Sequence, residues 1–451
     1  MDEKEKSKKV DKEQTSFGDE ISQFIRQIES LRETTPLVME LVSGKLIREA
    51  KAIDNFIKEN KIEEKDEKDE RKILIPSEKI KEFIKLNDKV NASLIAQNYL
   101  PSNFIVAFVS QYDAYLGRLI RTIFLTRPEL LNASEKNIVF SELIEFTSID
   151  EARDFVIEQE VESVLRESHL KQFKWVENKL GMKLREDLPS FTPFIEITER
   201  RNLFVHCNGV VSRQYISNCK ENKVQGIEKV KLGDSLGASP RYLGKCYSVI
   251  FEIGVKLGQV IWRKLKPDEM EKADQNLNDI CFELLVKGHY SLAINLLSFA
   301  TTTLKKNHNQ EMKCIFIINK ALGYYLSGKK EECYKILDEH DWSATSDTFQ
   351  LGTSVLREEY SRAASLMKII GENHDRVLKT SYMEWPLFKN FRQTELFKNS
   401  YKEIFKEEFA FIETRPQKLT DLLDDIKELR KEADENKLFE ETIDSEEKEV
   451  S

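Results

Sequence analysis

The chain has 451 residues, of which 33% are charged and 40% apolar, and a formal net charge of −9. Its length exceeds what one ordinary core organises and predicts two domains plus tails. No apolar run approaches the length of a membrane span, and the first twenty residues are charged rather than signal-like, so a soluble, cytoplasmic protein with no membrane partner is expected.

Gly (16) and Pro (10) are scarce while Leu, Glu and Lys dominate, which predicts an all-α fold with few tight turns. Residues 1–18 are almost all charged or polar and read as a disordered N-terminus. Residues 19–100 read as N-terminal helices with a charged linker. Ile21 to Lys61 carries helical periodicity through Phe24, Ile25, Ile28 and Leu31 and resumes after Pro36. Glu63 to Lys72 contains only charged side chains and reads as a solvated linker or a helix extension. Ser77 to Leu100 is again helical and leads to Pro101.

A helical domain is expected over 101–266. Asn103 to Leu125 places Phe104, Phe108, Tyr112, Tyr115, Leu116, Leu119, Ile120 and Ile123 on one buried face, and Thr126-Arg127-Pro128 ends it. Ser148-Ile149-Asp150-Glu151 is a capping-box sequence opening a long helix, and Trp175 to Leu180 extends or follows it, ending at Gly181. A further helix spans about Thr192 to Val211, with Pro193 in its first turn and Gly209 at its end or at a bend. Ser239-Pro240 opens the last one, with Leu243, Cys246, Ile250, Ile253, Leu257 and Ile261 as its face.

The segment Glu199-Arg200-Arg201-Asn202-Leu203-Phe204-Val205-His206 carries the chemistry. Asn202 and His206 lie one turn apart on one face, Arg201 flanks it, and Glu199 returns to nearly the azimuth of His206. An imidazole titrates near neutrality and moves protons. A guanidinium fork neutralises a phosphate, and an amide orients it or fixes a tautomer. Arg200 and Arg213 are candidate backbone-phosphate contacts, and Glu199 or Glu196 would support Arg201 or the imidazole. From Phe194 to Lys264 there are twelve Lys and Arg against six Asp and Glu, so a basic surface is compatible with the acidic total.

The string resembles the Arg-(four to six residues)-His signature of HEPN-domain ribonucleases, with Arg201, Asn202 and His206 on its three motif positions. The resemblance covers roughly residues 100–265. It implies a HEPN-like helical bundle, a metal-independent endoribonuclease with no cofactor, RNA as substrate, and a homodimer that brings two motif helices into a composite site. It also implies a role in bacterial stress or phage defence. Pairing with a nucleotidyltransferase-like partner fits less well, because Asn208 stands where that signature carries Tyr. The competing class is a non-catalytic scaffold that dimerises through this domain and binds partners elsewhere.

Over 267–412 the pattern changes. Leu285, Gly288, Tyr290, Ala293, Leu296 and Leu297 recur as Tyr325, Gly328, Lys330, Cys333, Ile336 and Leu337. A third copy shows Tyr360, Ala363, Leu366 and Met367, with Glu358 at the Gly position. The region resembles degenerate tetratricopeptide repeats, which implies paired helices and a protein or nucleic-acid regulator bound on them. Trp385 to Phe388 with Phe391, Phe397 and Phe405 reads as a capping helix. Residues 413–451 read as an acidic tail. The six cysteines and the remaining histidines, His169 among them, show no metal-ligand spacing and carry no assigned chemistry.

Overall fold

The computed structural model describes residues 16–60, 63–67, 70–133, 136 and 138–410, and describes backbone alone for 63–67, 70–74 and 133. The expected acidic tail and residues 1–15 lie outside the described residues. Residues up to Phe405 form one contact unit and those from Lys406 onward another.

The fold is all-α. Among the described residues the one sheet is a hairpin of β1 (Glu63–Glu67) and β2 (Glu70–Leu74), antiparallel with Glu67 opposite Glu70. This corrects the linker or helix extension expected there. Helix α1 (Phe17–Glu59) starts inside the stretch expected to be disordered. The Ser16 hydroxyl accepts from the Asp19 N–H at 3.2 Å, and Asp19 accepts in return from the Ser16 N–H at 3.2 Å.

Neither Pro36 nor Pro101 breaks its helix. α1 runs through Pro36, and α2 (Ile80–Thr126) runs through Pro101, so residues 19–100 and 101–266 share one continuous helix. An interior proline costs about 3 kcal/mol or more through its missing N–H and its clash with the preceding turn. Pairing of the two long helices offsets it. The Phe56 and Phe83 rings lie 6.1 Å apart, Ser93 bonds to Glu49, and Gln97 donates to Ser43 at 3.3 Å. The distal halves form an arm in which Leu41, Ile47, Ile84, Ile95 and Tyr99 are exposed.

The proximal halves are buried through Ile21, Phe24 and Ile28 on α1 and Phe108, Tyr112, Tyr115, Leu119 and Ile123 on α2. Around them lie α3 (Phe140–Leu143), α4 (Ile149–Leu165), α5 (His169–Leu180), α6 (Phe191–His206), α7 (Arg213–Glu221) and α8 (Pro240–Leu265). Ser148 caps α4 as expected, although Glu151 reaches back to the Thr147 N–H at 2.7 Å rather than to Ser148. Gly181 (φ 59°) ends α5, and the Ser239 hydroxyl caps α8. α8 lies directly on α1 and α2. The Phe24 and Tyr115 rings stack at 4.3 Å, and the Tyr115 hydroxyl donates to the Gly254 carbonyl at 3.1 Å. A Cβ at Gly254 would overlap the Phe24 ring, and one at Gly258 would overlap the Tyr115 hydroxyl and Ile21.

Three helix pairs follow: α9 (Met270–Val286) with α10 (Tyr290–Ser298), α11 (Gln310–Leu326) with α12 (Lys330–Asp338), and α13 (Asp347–Leu356) with α14 (Tyr360–Ile370). Their turns share one geometry. Gly288, Gly328 and Glu358 take φ of 78°, 80° and 60°. The next N–H closes onto the preceding helix each time, from His289 to Leu284 at 2.8 Å, Lys329 to Tyr324 at 2.9 Å and Glu359 to Ser354 at 2.9 Å. Ala293, Cys333 and Ala363 are fully buried. The expected capping helix is instead α15 (Lys379–Glu384), two short turns and α16 (Glu395–Phe405), with Phe388, Phe391 and Phe397 packed as core.

Gly258→Ala is expected to lower stability by about 1–3 kcal/mol, because the added methyl overpacks a contact with no free space. Urea unfolding of the two proteins measures this; equal midpoints would refute the close helix packing.

Candidate functional site

Helix α6 forms because Phe194, Ile195 and Ile197 are buried where it packs on α2 and α8, while Leu203 packs with Val211, Tyr215 and Cys219, and Pro193 suits its first turn. It ends at His206, five residues before the expected Val211. Asn208 and Gly209 take left-handed φ of 49° and 78°, and the N–H groups of Cys207 and Gly209 both close onto the Leu203 carbonyl. The chain beyond is pinned to a second loop. Val211 donates to the Asp234 carbonyl at 2.8 Å, and Leu236 donates to that of Gly209 at 2.9 Å. Gly209 is required here: besides its positive φ, a Cβ would stand 2.8 Å from the Leu236 oxygen.

Glu199, Asn202 and His206 line one cavity of about 290 Å³, together with Leu203, Cys207, Ser212, Gln214 and Tyr215; Arg213 is not in the lining. His206 is exposed, and its imidazole has no hydrogen-bond partner among the described residues. Arg201 is not in that lining. Its Nη2 donates to Asp113 Oδ2 of α2 at 2.8 Å, and the other oxygen of Asp113 lies 2.8 Å from His169 Nε2, at the first residue of α5. The Arg201 Nε is buried without a partner.

Arg200 points to the other side of α6. Its Nε donates to Glu196 at 2.7 Å, and its guanidinium sits 4.0 Å from the centre of the Tyr242 ring. Glu196, 5% exposed, also accepts from the hydroxyls of Tyr215 at 2.9 Å and Tyr242 at 2.7 Å. Arg213 is exposed at the first turn of α7, with no carboxylate partner among the described residues. Burial, followed by the charge of Glu196, pushes the thiols of Cys219 and Cys246 up to about 12, so neither is a thiolate nucleophile near neutrality.

Sequence reasoning missed Asp113 and His169. The one available signal was that Asp113 is the sole acidic residue in the apolar stretch Asn103 to Leu125. His169 carried no pattern at all, because its partner is 56 residues away in the chain. No group of three or more His, Cys, Asp or Glu suited to a metal ion occurs among the described residues.

Burial holds the Glu199 carboxyl above its ordinary value, against a hydrogen bond from Asn218 and the charges of His169 and Arg201. The folded state therefore binds this proton more tightly than the unfolded chain does. Its stabilising contribution is complete below the unfolded value and is lost as pH rises through the folded one. Glu199→Gln, neutral at every pH, is expected to raise the unfolding temperature near neutral pH and to leave it unchanged below about pH 4. Thermal melts of both proteins across that range check the sign.

Comparison with protein-family models, curated proteins and solved structures finds no match to this chain.

Proposed function

We propose that the chain is a metal-independent endoribonuclease of HEPN type, acting as a homodimer. The carrying observation is the shared cavity of Asn202 and His206, with Arg201 held by Asp113 on the same turn of α6. His206 is accessible and uncommitted, so it can exchange a proton with a ribose 2′-hydroxyl or a 5′-oxygen leaving group. Arg201 spends one of its five donors on Asp113 and keeps others for a phosphate oxygen. Arg213, on the α7 turn that helps to line the same cavity, adds a backbone-phosphate contact.

One chain offers one such imidazole, whereas cleavage needs a base and an acid. A two-fold arrangement of two α6 helices supplies both. The exposed apolar side chains beside His206 support that arrangement: Val205 and Val210 are 49% and 43% exposed, and Leu232 on the pinned loop is 55% exposed. A cavity of about 480 Å³ between α9, α11 and α13 is the place for a regulator on the helix pairs. It is lined by Asn278, Asn319, Phe282, Phe349 and Trp385. No helix among the described residues is long and apolar enough to cross a membrane.

The exposed apolar side chains of the α1–α2 arm favour a second reading, a scaffold that recruits partners without cutting RNA.

His206→Ala and Arg201→Ala should each lower RNA cleavage by about two to four orders of magnitude while the protein stays folded. The product should carry a 2′,3′-cyclic phosphate, and a 2′-deoxy nucleotide at the cut site should block the reaction. Full activity in the His206 variant, or equal cleavage of DNA, would sink the proposal. Sedimentation at micromolar concentration should show a dimer; a monomer with and without RNA would remove the composite site.

A further inference from the structure

On the other side of Tyr215 from the His206 cavity lies a larger one, of about 650 Å³, between the start of α6, the loop after α7 and the first turns of α8. Tyr215 lines both. The larger cavity has three kinds of surface. At its base is the buried Glu196–Arg200–Tyr242 cluster, already saturated by its own hydrogen bonds. Along one flank are apolar side chains, Pro193, Val224, Ile227 and Val230. Two exposed lysines, Lys223 and Lys245, also line it, neither with a carboxylate partner among the described residues.

Lys223 is the informative residue. It follows the C-cap of α7 with φ 56°, in the left-handed region where glycine is the unstrained choice. That turn closes α7, with the Val224 N–H on the Cys219 carbonyl at 2.9 Å, and the exposed Lys223 side chain makes no ion pair within the described residues. In the lining, three basic side chains face one carboxylate, and Arg200 already neutralises that carboxylate. The remaining charge is that of two unpaired lysines. It matches a dianion rather than the single charge of an internal phosphodiester. The volume lies in the range of about 300–1,000 Å³ usual for small organic ligands, well above what a bare phosphate fills.

The geometry points to a binding site for an organic phosphate monoester, with its phosphate on Lys223 and Lys245 and its organic part on the Val224–Ile227 flank. The ester belongs either to a free small molecule or to the 5′ end of an RNA. This site does not depend on the cleavage chemistry assigned to His206, since binding alone defines it.

Calorimetric titration of the full chain with ribose 5-phosphate, AMP and inorganic phosphate tests it, with Lys223→Gly and Lys245→Gln as variants. At least one ester should bind tenfold or more tightly than inorganic phosphate, and each variant should weaken it by tenfold or more. Lys223→Gly should melt no lower than the parent, because glycine relieves the strained φ; lost binding then cannot be blamed on unfolding. A 2′-O-methyl pentaribonucleotide with and without a 5′-phosphate separates the sources. Binding that requires the 5′-phosphate and falls in Lys223→Gly assigns an RNA end, and binding of the small esters alone assigns a free molecule. The proposal is overturned if no phosphorylated probe binds at millimolar concentration, if inorganic phosphate binds as tightly as the esters, or if both variants keep the parent affinity.

Discussion

Glu196 ties three helices together by one buried charge. Its carboxylate accepts from Tyr215 of α7, from Tyr242 of α8 and from Arg200 one turn along its own helix. A lone buried carboxylate would be costly, and an unpaired Arg200 would be no better. Together with two phenols they form a closed network in which every strong group has a partner. The network fixes how α7 leaves the end of α6. It thereby fixes where Ser212, Gln214 and Tyr215 stand relative to His206, and Tyr215 lines both cavities.

Local signals carried much of the architecture. The face of α2 from Phe108 to Ile123, the Ser148 and Ser239 caps and the left-handed Gly181 are set by residues within a turn or two of one another, and they read correctly. The helix-pair turns were legible for the same reason, down to Glu358, which adopts the conformation of the two glycines it replaces. In the site, Glu199, Asn202 and His206 meet in one cavity as helical spacing requires.

What escaped the sequence depends on partners far along the chain. Asp113 lies 88 residues from Arg201 and 56 from His169, and no periodicity links them. The uninterrupted helices failed in the opposite sense. Pro36 and Pro101 are local stop signals, overruled by pairing between segments some fifty residues apart in the chain, as in Ser93 with Glu49 and Gln97 with Ser43. The charged run that became a hairpin lacks apolar alternation. Its two strands connect the ends of the two long helices, which hold them side by side.

The two prolines also stand at one level. The Ser43–Gln97 contact sets the register of the antiparallel helices, and it places Pro36 and Pro101 within about a turn of each other, where the arm leaves the buried body. Each proline withholds one N–H from the carbonyl four residues earlier, that of Arg32 on α1 and Gln97 on α2. Both rods are therefore softest at the same cross-section. Sideways load on the arm is taken up as bending at its root, before it reaches Asp113 twelve residues further along α2.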